Sequence, residues 1–182
     1  RLQLFGLSAA EAMASLGVFH GMLKPILFMP SFITCSLSMA AAPELTKRQT
    51  DGQPLCTLST RMILASLAIG AAASAGVWLF APLIANFFFR QALLPLLRGS
   101  CALIPIIATT HVCGGIMNAL GLQGASLKIS LASGLLGVLT VQFLVPVIGL
   151  WGAVVSLGAV QGLTLLLSLL VLRRSGCIAR SR

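Results

Sequence analysis

Three uncharged tracts set the terms on which this chain can fold. Residues 62–89 hold no Asp, Glu, Lys or Arg, and neither do residues 99–127 or 129–172. A helix needs about 20 predominantly apolar residues to cross the hydrocarbon core of a bilayer. The first two tracts are each long enough for one such helix, and the third is long enough for two. Only 8% of the residues are charged, against about 25% in ordinary soluble domains, so the chain cannot coat a water-facing surface. The tracts do not alternate polar and apolar residues as a transmembrane β-barrel requires. The fold class that follows is all-α, a polytopic membrane helix bundle of about five transmembrane helices with the lipid bilayer as its solvent.

The spans are expected at about 12–43, 61–87, 93–120, 125–145 and 150–172. Between the first two lies a charged island, with Glu44, Lys47, Arg48 and Asp51 inside APELTKRQTDGQP. Residues 44–60 read as a cytoplasmic loop, with Pro43 closing the first helix, and residues 173–182 read as a cytoplasmic tail. The break between the last two spans falls in PVIGLWG, where Pro146 and two glycines predict a tight turn. Short connections make successive helices antiparallel. Alternation then gathers Lys47, Arg48, Arg61, Lys128, Arg173, Arg174, Arg180 and Arg182 on one side, leaving Arg1 and Arg90 opposite. An excess of Lys and Arg marks the cytoplasmic side. The net charge of +9 is thereby a topological signal. Basic residues at span ends, without interleaved aromatics, do not describe a nucleic-acid surface. The chain starts at Arg1 without a signal-peptide pattern, so it reads as a piece of a longer protein.

Helices in lipid associate through small residues that let backbones approach. GVFHG (Gly17, Gly21) and GAVQG (Gly158, Gly162) supply such spacing. Ser126, Ser130, Ser133, Gly137 and Thr140 recur at steps of three and four and share one helical face. This stripe fits either a packing seam or the wall of a polar cavity. Pro25 and Pro30 fall within the first span and predict a bend there.

Two basic residues remain at membrane depth, Lys24 and Arg98, both toward the outer half. Ionisable groups at such positions either snorkel to the headgroups or face a partner or cavity. His20 lies one turn before Lys24 on the same face. The three acids of the chain are Glu11, Glu44 and Asp51, none of them deep in a span. Basic groups without acids suit an anionic ligand better than a cationic one. The five cysteines show no CxxC spacing and read as small buried hydrophobes, not as a metal site. HExxH, the P-loop and GxSxG are all absent, so no enzyme, cofactor or metal is expected.

Several stretches together resemble a known family. RLQLFGLSAAEAMASLGVFHGMLKPILFMPSFITCSLSMAAAPELTKRQTDG, CGGIMNALGLQGAS and LVPVIGLWGAVVS are similar, in order and spacing, to segments of the stage V sporulation protein B family. That family lies in the polysaccharide-transporter branch of the MATE/MOP flippase superfamily. The resemblance implies two pseudo-symmetric bundles around a central cavity. This chain would be most of the C-terminal bundle, and its partner the missing N-terminal half. It further implies movement of an anionic lipid-linked oligosaccharide or peptidoglycan precursor across the plasma membrane by alternating access. On that reading Lys24, Arg98 and His20 would attract the lipid pyrophosphate. A cation-coupled multidrug antiporter and a non-transporting structural membrane partner are the other readings. An intramembrane carboxylate upstream would favour the antiporter, and basic residues there the flippase.

Overall fold

A computed structural model of the chain describes residues 2–3, 6–86 and 94–177. Among these residues the secondary structure is helical: α1 (Ala9–Val18), α2 (Lys24–Thr50), α3 (Cys56–Ile84), α4 (Leu94–Ser100), α5 (Leu103–Ala119), α6 (Gln123–Ile148) and α7 (Leu150–Arg174). Four helical segments are long and apolar enough to cross a membrane, and the bent pair α4–α5 makes a fifth. The chain is thus a helix bundle with the make-up of a multi-pass membrane protein. Arg1, Phe87, Arg90, Leu93, Arg180 and Arg182 lie outside the described residues, and so do the ends of two expected spans.

The first span is longer than expected. Ser8 and Glu11 form a capping box, with Ser8 N–H donating to Glu11 Oε2 at 2.9 Å and Glu11 N–H to Ser8 Oγ at 3.3 Å. From there α1, a π turn at Phe19–Leu23 and α2 make one run of 42 residues. At 1.5 Å per residue this is roughly 60 Å, about twice the hydrocarbon thickness. Pro43 does not close the helix, which passes through it to Thr50. Two contacts made beyond that proline hold the extension: Thr46 Oγ1 donates to Ala119 O at 3.1 Å, and Leu45 is fully buried. Most of the charged island is therefore helix, with Arg48 Nε paired to Glu44 Oε1 at 2.6 Å, and only residues 51–55 form the connection. Pro146 likewise lies inside α6. The break before α7 rests on Gly149 alone, whose φ of +58° only glycine adopts at low cost.

α5 is the core of the bundle. Ile104, Ile107, Ala108, Thr109, Val112, Cys113, Ile116 and Met117 are all buried, while α3, α6 and α7 bury few of the residues along their apolar lengths. Backbone contacts bring three helices onto α5. A Cβ on Gly70 of α3 would lie 2.7 Å from Pro105 Cα. On α2, Ser38 occupies the space a Cβ on Gly115 would need, and Thr34 Oγ1 donates to Ala108 O at 3.3 Å. Leu103 packs 3.0 Å from where a Gly158 Cβ would sit on α7. The expected span C is broken, with α4 and α5 bent by 46°. Pro105 has no N–H to offer the Cys101 carbonyl four residues back. That carbonyl accepts instead from Ile104 N–H, three residues on, at 3.0 Å, and from Ser74 Oγ of α3 at 2.8 Å, so a tightened turn and a hydroxyl from a neighbouring helix together satisfy it.

Three helices stop the same way at one end of the bundle. Gly52, Gly121 and Gly176 have φ of +65°, +73° and +71°. The residues after them donate back to C3: Gln53 N–H to Arg48 O at 2.8 Å, Leu122 N–H to Met117 O at 2.8 Å and Cys177 N–H to Leu172 O at 3.0 Å. These are Schellman caps, and in the last two an apolar C″ residue packs over its C3 partner. Leu45, Met62, Leu120, Ile129 and Leu172 form one cluster there, which places Lys47, Arg48, Arg61, Lys128, Arg173 and Arg174 at a common end, as alternation requires. At the opposite end Leu23, Leu27, Ala81, Leu97, Ile104 and Val154 cluster.

GVFHG does not pack as its spacing suggests. Cβ atoms on Gly17 and Gly21 would meet nothing within 4 Å, because this stretch borders a cavity. Gly70→Ala is accordingly expected to destabilise the bundle by about 1–3 kcal/mol through overpacking, and Gly17→Ala to leave it unchanged or slightly improved. Thermal unfolding of both variants in detergent checks this.

Cys177, tucked under the last cap, is buried. Burial, and then the neighbouring Cys56 thiol, push its own thiol above the ordinary range. Less thiolate at pH 8 means slower alkylation. Iodoacetamide is expected to modify Cys177 several-fold more slowly than Cys56 in the folded protein, and at matched rates in denaturant, as mass spectrometry of the peptides would report.

Candidate functional site

A cavity of about 720 Å³ lies between α1 with its π turn and the α6–α7 hairpin. Its walls are almost wholly apolar: Met13, Leu16 and Phe19 on one side, Val141, Leu150, Leu157 and Val160 on the other. The polar groups on it are few, among them Gln3, His20, Lys24 and Ser156. No carboxylate lines it. Ligand sites are typically apolar clefts of this size with a few placed polar groups.

The backbone explains why Lys24 and His20 reach this cavity. In the π turn the Lys24 N–H bonds to Phe19 O, five residues back. The wider turn falls immediately before Pro25, whose ring and missing N–H disfavour a regular turn over the preceding residues. His20 lies within the widened turn and Lys24 at its end, and both side chains face the cavity. Such turns occur often at functional sites. Lys24 is half-buried, with Nζ 5.8 Å from the Phe28 ring centroid. That contact holds the ammonium by cation–π attraction and uses none of its hydrogen-bond donors. His20 is exposed to the cavity and set edge-on to Phe19.

Arg98 is not part of this site. It lies in a separate groove of about 620 Å³ between α3 and the α4–α5 bend, with its guanidinium carbon 5.4 Å from the Trp78 ring centroid. Lys24 and Arg98, expected to act on one ligand, thus open onto different spaces. The sequence places both near the outer ends of parallel spans but does not show that their side chains open onto different faces of the bundle.

The α6 stripe divides. Gly137 and Thr140 form the seam with α7, where Thr140 Oγ1 and Ser156 Oγ are 2.6 Å apart and Val160 Cγ2 lies 3.0 Å from the position of a Gly137 Cβ, and Ser133 is buried with its hydroxyl donating to Ile129 O at 2.8 Å within α6. Gly137 also lines the cavity. Ser126 is half-buried and Ser130 exposed nearer the basic end, and neither reaches the cavity. The partner residues on α7 are Gly152 and Ser156, not the glycines of GAVQG, of which Gly162 meets nothing within 4 Å. The G-x-x-x-S spacing at Gly152 and Ser156 is the signal for this seam.

A second polar pair lies deeper. Cys35 Sγ is 3.6 Å from His111 Nδ1, and Phe28 meets the His111 ring edge-on. Among the described residues no group of three His, Cys, Asp or Glu side chains converges, and two donors fall short of the four a structural zinc site uses. His111 is an interior histidine with a thiol partner.

No protein-family model, curated protein or solved structure matches the chain. The α6–α7 seam offers a direct test of this site's frame. A double-mutant cycle on Thr140→Val and Ser156→Ala is expected to give a coupling of about 0.6–1.7 kcal/mol, the range for hydrogen bonds between membrane helices. Unfolding of the single and double variants in mixed micelles measures it.

Proposed function

We propose that this chain forms one bundle of a plasma-membrane flippase that moves an anionic lipid-linked oligosaccharide, such as a peptidoglycan precursor, in cell-wall or spore-cortex synthesis. The observation that carries the reading is the cavity. Its apolar walls suit a polyprenyl chain, and its one ammonium suits a pyrophosphate. Lys24 would hold the phosphate with its free N–H donors, and His20 would add a donor. The basic end bearing Lys47, Arg48, Arg61 and Arg173 is cytoplasmic by the K/R excess, so the cavity opens in the outer half of the bilayer. The missing N-terminal half of the protein would supply the facing wall, and the two bundles would rock about the ligand. The MATE/MOP lobe suggested by the sequence resemblance is part of this proposal. The cation-coupled antiporter would need a carboxylate at membrane depth, and the lining residues supply none.

Reconstitution of the full-length protein with a fluorescent polyprenyl-pyrophosphate saccharide tests the proposal. Lys24→Gln is expected to lower the flipping rate about tenfold, the effect of one lost hydrogen bond to a charged group. Lys47→Gln, at the opposite end, should change it little. An unaltered rate in Lys24→Gln overturns the assignment of Lys24. Cation-driven drug efflux without lipid movement would establish the antiporter, and the absence of any transport would leave a structural partner.

A further inference from the structure

The groove around Arg98 carries an inference independent of the cavity. Its floor is made of small side chains, Ala71 and Ala75 on α3 and Ala102 at the α4–α5 bend, with Pro105 at its end. The 46° bend separates α4 from the line of α5 and opens this space. Ser74, which would otherwise leave a hydroxyl in the groove, donates inward to Cys101 O at 2.8 Å. The groove is therefore smooth, apolar and open to lipid along its length, with one charged group at its rim.

That group is placed with care. Arg98 lies over the Trp78 ring, and the adjacent Gly99 lets Trp151 approach to 2.5 Å from where a Cβ would stand. Trp78 and Trp151 are the two tryptophans of the chain, and both are brought to the level of Arg98. Tryptophans gather where headgroups meet hydrocarbon. The cation–π contact holds the guanidinium beside the ring and uses none of its N–H donors, which stay free for a phosphate. Among the described residues no carboxylate lies within ion-pair range of Arg98. The acids of the chain are placed elsewhere: Glu44 pairs with Arg48, Asp51 ends α2 at the basic end, and Glu11 caps α1. Arg98 is thus a cation without a protein counter-ion, at the mouth of an acyl-shaped groove.

We propose that this groove binds an anionic glycerophospholipid of the leaflet opposite the basic end, its phosphate on Arg98 and one acyl chain along Ala71, Ala75 and Ala102. An anionic headgroup is favoured over a zwitterionic one because no acid is at hand to receive a choline or ethanolamine cation. The site is distinct from the Lys24 cavity and does not depend on what that cavity carries.

The tryptophans are built-in probes. In the full chain with Trp151→Phe, Trp78 fluorescence reports on the groove. Dibromo-phosphatidylglycerol and dibromo-phosphatidylcholine would each be titrated into unbrominated phosphatidylcholine bilayers. Quenching by the brominated phosphatidylglycerol is expected at about fivefold lower mole fraction, the preference one basic side chain confers near anionic lipid. Arg98→Gln should abolish the preference while both lipids still quench, and Arg98→Lys should keep part of it. Inorganic phosphate at millimolar concentration should not relieve the quenching. Equal quenching by the two lipids in the parent protein overturns the proposal, and so does relief by free phosphate, which would make the site one for soluble anions. Because the two lipids are compared in one and the same Trp151→Phe protein, an Arg98 variant that fails to fold leaves the test decisive.

Discussion

The bundle depends on the close approach of other helix backbones to α5. In lipid there is no hydrophobic force to press helices together, so contact must come from fit. Gly70 against Pro105, Gly115 against Ser38 and Gly158 against Leu103 provide it on three sides. Close approach also resolves the polar cost of the prolines. Pro105 cannot donate to the Cys101 carbonyl, which takes Ile104 N–H in its place, and α3 lies near enough for Ser74 to add a second hydrogen bond. The bend that this proline permits shapes the Arg98 groove. Packing, backbone satisfaction and site geometry thus share one cause.

Charge is arranged with comparable economy. Three acids face twelve bases, and Glu44 is committed to Arg48. Most described bases lie at the glycine-capped end, where water can solvate them. Lys24 and Arg98 are the exceptions. Each rests against an aromatic ring, Phe28 for one and Trp78 for the other. An aromatic face stabilises a cation while leaving its donors unused, which suits a group that must hold an exchangeable anion.

Tract lengths made the helix count legible, because crossing a bilayer is a length requirement that composition reports directly. The basic end was legible too, from alternation and the K/R positions. Helix ends were read less well. Pro43 and Pro146 look like breakers, yet both lie inside helices, and at Pro43 the contacts of Leu45 and Thr46 beyond it outweigh the one hydrogen bond that a proline costs. The caps at Gly52, Gly121 and Gly176 carry a local signal, since a glycine follows the last helical turn in each. At the candidate site, Lys24 and His20 were found because an ionisable group in an apolar tract stands out. Their separation from Arg98 was not legible, since it depends on which helices neighbour which. The seam at Gly152 and Ser156 was hidden among many small residues of similar spacing, and GVFHG shows how readily such spacing misleads.

The π turn has a consequence for how this segment tolerates length changes. It accommodates one residue more than a regular helix would over the same rise. Loss of any single residue from Phe19–Leu23 could be absorbed by reversion to a plain α-helix, with no break in the chain. The phase would be kept as well, because the π turn sweeps with five residues about the rotation that a regular helix sweeps with four. Ala12 would keep its place against Leu2 and Val145, and the face that walls the cavity would still point at it. The same deletion in the regular helix on either side would turn α1 by about 100° relative to α2 and carry that face away, so the π turn is the one place in this helix where a lost residue spares both the helix and the site.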